Sequence, residues 1–224
     1  TTVMKMLSGK QLSVNPYIDS YRHGVSGVST GKDLETALQL AYLYFADPRF
    51  DQNEYDQGVN QIKALLPNLE STPDWQLNVE LYKTAYDSPR RFMLDADVLA
   101  KASLATIEKN YRELFKDAAG ATMIMVGDFD VDTALPLVEK YVGSIAAGDK
   151  TTDWSYRGDG LVSGRKVNDF ETAMETPMVT VVQLYTKDEP YSVENIVNYS
   201  ALSYILDMVY TETLREEEGG TYGA

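Results

Sequence analysis

The feature that most limits what this chain can fold into is a break in its hydrophobic pattern at residues 146–160, AAGDKTTDWSYRGDG. The stretch is polar and glycine-rich, and neither the strand period nor the helix period runs through it, so it reads as a linker. Before it lies enough chain for one domain of ordinary size. After it the pattern restarts with only two strand-like runs, one long helix and the opening of a third strand. Such an inventory cannot close a core of its own. The expected organisation is therefore a domain over 1–150, a linker over 151–160, and a second domain that begins at 161 and is truncated at 224. The chain is expected to be a piece of a larger protein.

The first domain alternates strand and helix signals. Residues 3–28 look extended, with alternation at Gln11–Asn15 and a Gly/Ser/Val-rich run from Tyr21 to Val28. Thr30 followed by Asp33 has the spacing of a capping box. The helix behind it places Leu34, Leu38, Ala41 and Phe45 on one face and stops at Pro48. Further helices are predicted over 52–66, ended by Pro67, over 74–86, ended by Ser88-Pro89, over 103–115, and over 133–142, closed by Gly143. Between the last two, Ala121–Val126 is a continuous apolar run that predicts a buried strand. In the second domain, 164–170 and 178–185 predict a hairpin. Residues 191–215 predict a long helix with Ile196, Tyr199, Leu202, Ile205, Leu206 and Val209 on one side.

Composition excludes several chemistries. With 20 Lys+Arg against 34 Asp+Glu the chain carries a formal charge of −14, which repels phosphate backbones and argues against nucleic-acid binding. It holds no cysteine and one histidine, His23. Thiolate nucleophiles, disulfides and Cys-ligated metals are thereby excluded, and a zinc centre with two or three His ligands cannot be assembled from this chain. No Gly-x-Ser-x-Gly elbow supports a serine triad. No apolar run approaches the ~20 residues that span a bilayer, and Thr1–Lys10 has too short an apolar stretch and no cleavage pattern for a signal peptide.

Two motifs bear on function. Asp128, Asp130, Asp132 and Glu139 stand at positions 1, 3, 5 and 12 of a calcium loop. Thr133 stands where the sharp turn needs glycine, however, and a strand precedes the run. The reading preferred here is a strand-to-helix turn with Asp130 or Asp132 as N-cap and Pro136 in the first helical turn. The second motif is Leu214–Tyr222, LREEEGGTY. Arg215 ends a helix, Gly219-Gly220 reverse the chain, and Tyr222 opens a strand. Side by side, a guanidinium and a phenol offer directional donors to a carbonyl oxygen or a developing oxyanion. The local sequence alone favours the plainer reading, in which Arg215 serves its own helix C-terminus and Tyr222 simply packs.

LREEEGGTYGA resembles the Arg-x6-Tyr element in the second half of insulinase-family (M16-type) zinc peptidases. MIMVGDFDVDTALPLVEKYVGSI is similar to the strand–turn–helix that closes each odd-numbered domain of that family, and SGVSTGKDLETALQLAYLYFADPRFD to a helix of its third domain. The three blocks occur in the family's order and cover most of the chain. The resemblance implies an α+β protein: an M16-type (LuxS/MPP-like) metallohydrolase domain, with helices packed on a mixed, mostly antiparallel sheet, followed by a truncated second copy. On this reading 1–150 is a third domain without its N-terminal strand and helix, and 161–224 opens a fourth. The family's zinc motif, His-x-x-Glu-His on a helix, has no counterpart in Asp33–Phe45. Zinc is therefore expected in an N-terminal half outside this chain, and this chain contributes no catalytic and no metal-binding residue. Arg215 and Tyr222 match the family's substrate-binding pair. The implied partners are a peptide substrate and the zinc-binding half, supplied by the same protein or by a partner subunit. The implied function is the substrate-binding, non-zinc-binding half of a peptidase that works inside a closed chamber, inactive by itself. A structural or chaperoning partner subunit of the same family is the alternative. Long members of the family are often exported in Gram-negative bacteria, which points to the periplasm.

Overall fold

The structure, a computed structural model, describes residues 2–148, 155 and 160–219. It forms two compact units, Thr1–Thr176 and Pro177–Ala224. In the first, a short helix α1 (Thr2–Met6) precedes a hairpin of β1 (Leu12–Ile18) and β2 (His23–Ser29), paired antiparallel from Leu12↔Ser29 to Ile18↔His23. Helices α2 (Leu34–Ala46), α3 (Gln52–Glu70), α4 (Pro73–Ala85), α5 (Ala96–Lys101), α6 (Leu104–Leu114) and α7 (Val131–Tyr141) follow. The second unit holds α8 (Val193–Tyr210), which continues into a π-helical turn, Thr211–Glu217.

Local chemistry explains most helix starts. Asp51, Thr72, Asp95, Ser103, Asp130 and Ser192 each accept a hydrogen bond from a backbone N–H of the first turn, which satisfies donors the helix itself leaves free. The hairpin depends on glycine at one position. A Cβ on Gly27 would lie 2.5 Å from the Ser13 carbonyl oxygen and 2.9 Å from a Val14 methyl, so only glycine allows the strands to approach there.

The core of this unit is aromatic. Phe115, 1% exposed, stacks on Tyr111 at 4.2 Å and meets Phe45 at 5.1 Å and the edge of His23 at 5.3 Å. Polar ends of the rings are satisfied by backbone: Tyr111 Oη donates to the Tyr44 carbonyl at 2.9 Å, and Tyr44 Oη to the Val14 carbonyl at 3.0 Å. This chain of bonds ties α6 to α2 and α2 to the hairpin. Burial pushes the Tyr111 phenol up to about 12, with Tyr44 adding to the effect.

Several expectations need correction. Thr30 and Asp33 form no capping box. Thr30 Oγ1 donates to Asp33 Oδ2 at 3.3 Å, and a 3-10 turn over Gly31–Asp33 leads into α2. The buried Asp33 carboxylate accepts instead from the Gln11 N–H at 2.9 Å and from Lys10 Nζ at 3.4 Å. Asp33 thus anchors the start of β1 to the start of α2, because a tertiary donor outcompetes the local one. Pro67 does not stop α3, which runs on to Glu70. A proline this close to a C-terminus removes one N–H and little else. Pro136 lies in the second turn of α7, not its first. Residues 2–6 are helical, not extended.

The sheet is the largest difference. Among the described residues it has two strands, not a mixed sheet of several. Ala121–Val126 forms no strand and has no ladder partner, and Ile124 and Val126 are 81% and 93% exposed. The runs 164–170 and 178–185 are likewise unpaired, so the predicted hairpin is not formed. A strand exists only where another strand satisfies its backbone, and that pairing is not encoded in the run itself. Residues 161–172 instead lie along α4. Leu161 bridges Tyr86, the Val162 N–H donates to the Ala85 carbonyl at 2.8 Å, Asn168 reaches Glu80 and Thr84, and Thr172 hydrogen-bonds Gln76.

Candidate functional site

The two residues that the sequence singles out fall at the end of the second unit. Helix α8 starts at Ser192, whose hydroxyl accepts from the Asn195 N–H at 3.0 Å. It runs to Tyr210 and then widens: Glu218 N–H donates to the Thr213 carbonyl at 3.2 Å and Gly219 N–H to the Arg215 carbonyl at 3.2 Å. Such widened turns are rare in helices and recur at functional sites. Gly219 then takes φ of +63°, a left-handed conformation that ends helices and favours glycine. Arg215 is in this last turn. Its side chain is half exposed, and Nε lies 3.4 Å from Glu216 Oε1. A surface pair of this kind restrains the guanidinium weakly, which leaves it available to a ligand. Tyr222 lies outside the described residues, so the geometry of the proposed pair rests on Arg215 alone.

The described residues do not fit a zinc centre. No three His, Cys, Asp or Glu side chains among them are grouped to hold a metal. His23 is engaged in the β ladder and packs its edge on Phe115. The polar residues of α2 are otherwise engaged: Glu35 Oε1 accepts from Tyr141 Oη at 2.7 Å and Lys140 Nζ at 3.2 Å, and Gln39 donates to Tyr141 Oη at 2.9 Å. The Tyr141 hydroxyl, then Lys140, holds the Glu35 carboxyl below its usual range. This helix is used to dock α7. The acidic run after Val126 is likewise structural: Asp130 Oδ1 accepts from the Thr133 N–H at 2.8 Å and from its hydroxyl at 2.6 Å, capping α7. These bonds lower the Asp130 pKa.

Sequence reasoning missed two groupings. One is the anchor formed by Lys10, Gln11 and Asp33. Its only signal was the acidic residue before α2, read there as a local cap. The other is at the hairpin tip, where Arg90 and Arg91 reach Ser20 and Tyr21. Two adjacent arginines in so acidic a chain were the available signal.

A helical chain with a small antiparallel sheet and an arginine at a widened helix end defines an α+β domain. The fold has a solved counterpart. A crystal structure of the ferredoxin protease FusC, a mutant in complex with Arabidopsis ferredoxin, superposes with a TM-score of 0.55 at 16% identity, covering 71% of this chain and 17% of that one. The probable zinc protease PqqL of Escherichia coli (strain K12) is 24% identical over 162 residues, which is 72% of this chain and 17% of that protein. The chain therefore spans about a sixth of the length of these relatives. A family model described as "Peptidase M16 inactive domain" matches residues 101–224, more than half of the chain, and the chain belongs to that family.

Proposed function

We propose that this chain is the substrate-binding, non-zinc-binding half region of an M16-type zinc metallopeptidase that cleaves peptides inside a closed chamber. The observation that carries the proposal is the family match, which extends through the Arg-x6-Tyr element at Arg215 and Tyr222. Zinc, its ligands and the general base belong, on this reading, to an N-terminal half of the same protein or to a partner subunit. Arg215 and Tyr222 donate hydrogen bonds to the substrate backbone and to the oxyanion that develops on the scissile carbonyl. Donors in place before the reaction stabilise that charge without reorganisation. The widened turn at Thr211–Glu217 and the weak surface pairing of Arg215 support this role.

The domain assignment belongs to the same proposal: a third domain over 1–150, a linker over 151–160 and a fourth domain opening at 161, each a LuxS/MPP-like unit. A protein or peptide substrate fits it, since the FusC structure is a ferredoxin protease in complex with ferredoxin. A purely structural or chaperoning subunit has no use for the Arg/Tyr pair, and this separates the two readings.

The test is kinetic. In the complete enzyme, Arg215→Ala or Tyr222→Phe lowers kcat by roughly 10²–10³, the effect of losing an oxyanion donor, while zinc content stays the same. Unchanged turnover in both variants excludes the role.

A further inference from the structure

The tip of the β1–β2 hairpin carries a cluster of arginines and tyrosines unrelated to Arg215. Asp19 Oδ1 accepts from the Tyr21 and Arg22 N–H groups, both at 2.7 Å, and this folds the turn and lifts Tyr21 outward. Tyr21 is 72% exposed. The loop after α4 delivers Arg90 and Arg91 to the same turn. Arg90 donates to the Ser20 carbonyl at 2.9 Å, and Arg91 Nη2 donates to Tyr21 Oη at 2.6 Å. The Arg91 guanidinium also lies 5.7 Å from the centre of the Tyr21 ring and 5.4 Å from that of Tyr86. Asp19 lies 3.5 Å from Arg22, whereas Arg91 has no ion pair among the described residues.

The guanidinium edge that carries Nη2 also carries Nε. Nε is buried and meets no hydrogen-bond acceptor among the described residues. One prong of a two-pronged donor thus rests on a neutral phenol, and the other is unsatisfied. A buried unpaired donor is costly, and a planar two-oxygen anion fits that edge with two parallel charge-assisted bonds. Tyr21 is exposed at a turn tip and can swing aside while Tyr86 keeps its place under the cation. We propose that Arg91, flanked by Tyr21 and Tyr86, is a carboxylate-binding site that takes a peptide C-terminus or an acidic side chain, with Tyr21 as its displaceable cover. The site is independent of the peptidase reading, because nothing in it involves Arg215, Tyr222 or zinc.

The test uses the whole 224-residue chain and the Arg91 Nε–H resonance in ¹⁵N-correlated NMR spectra. Three probes are titrated: a short neutral peptide with a free C-terminus, its C-terminal amide, and that amide with one glutamate added. The expected result is a saturable downfield shift with the first or the third probe and none with the plain amide. The arm that responds identifies the source of the carboxylate. Arg91→Lys keeps the charge but loses the fork, so binding weakens by about tenfold or more. Tyr21→Phe removes the competing hydroxyl and tightens binding by roughly threefold. A resonance that does not move at saturating peptide, a shift with inorganic phosphate alone, or equal binding by Arg91→Lys overturns the site and leaves Arg91 as a clamp on the hairpin.

Discussion

Asp33 shows how one side chain joins two elements. Its carboxyl lies below the ordinary 3.8, first because the Gln11 N–H donates to it and further because Lys10 and Thr30 do. The folded state therefore binds this proton less tightly than the unfolded chain. The stabilisation is complete above the unfolded pKa and is lost as pH falls through the folded one. Asp33→Asn is expected to lower the urea midpoint at neutral pH, with the deficit shrinking below about pH 4. An unchanged midpoint at pH 7 would remove Asp33 from the account. Tyr111 gives the opposite case. Its phenol is pushed from 10.0 to about 12 by burial, so the folded state holds the proton more tightly. Its contribution is complete below pH 10 and is lost as pH rises toward 12. Tyr111→Phe leaves the Tyr44 carbonyl without its donor and should cost about 1 kcal/mol at neutral pH, read by chemical denaturation.

At the scale of elements, the aromatic core and the caps are separable. Phe115→Ala removes the ring on which His23, Phe45 and Tyr111 converge, and about 3–5 kcal/mol of stability is expected to go with it. Ser103→Ala removes only the cap of α6 and should cost about 1 kcal/mol. Equal losses would mean that the core is not where the structure places it. The helices were legible in the sequence because their signals are local. Ser103, Asp130 and the apolar stripe of α2 act within a turn or two of themselves. The six-residue α5 is too short to show a period. The strands were read less well. Leu12–Ile18 and His23–Ser29 are joined by a turn that Asp19 folds, so their pairing is local. The run at Ala121–Val126 is strongly apolar but pairs with no strand among the described residues, since pairing depends on a partner that no window of sequence reveals. Arg215 was visible as a helix-end arginine, and only the resemblance gave it a partner in Tyr222.

For the whole molecule, the described residues leave much apolar surface uncovered. The stripe predicted on α8 is formed, yet Ile196, Tyr199, Leu202, Ile205, Leu206 and Val209 are all between 43% and 55% exposed. Valines and tyrosines occupy its other faces, and a helix apolar all round belongs in an interior. Surface of this extent marks an interaction face or an aggregation hazard. The isolated chain is expected to bind an apolar-surface dye and to self-associate as concentration rises in sedimentation velocity. A dye-silent monomer would contradict that expectation. The relatives are far longer than this chain, which covers 17% of each.

The proposed role, holding substrate for a zinc site supplied from outside this chain, has a direct test. The most direct measurement is made on the purified 224-residue chain, with zinc added and bound metal and peptide hydrolysis read together. No stoichiometric zinc and no hydrolysis are expected, since no three His, Cys, Asp or Glu side chains among the described residues are grouped to hold a metal. One zinc per chain accompanied by turnover of a peptide would contradict it.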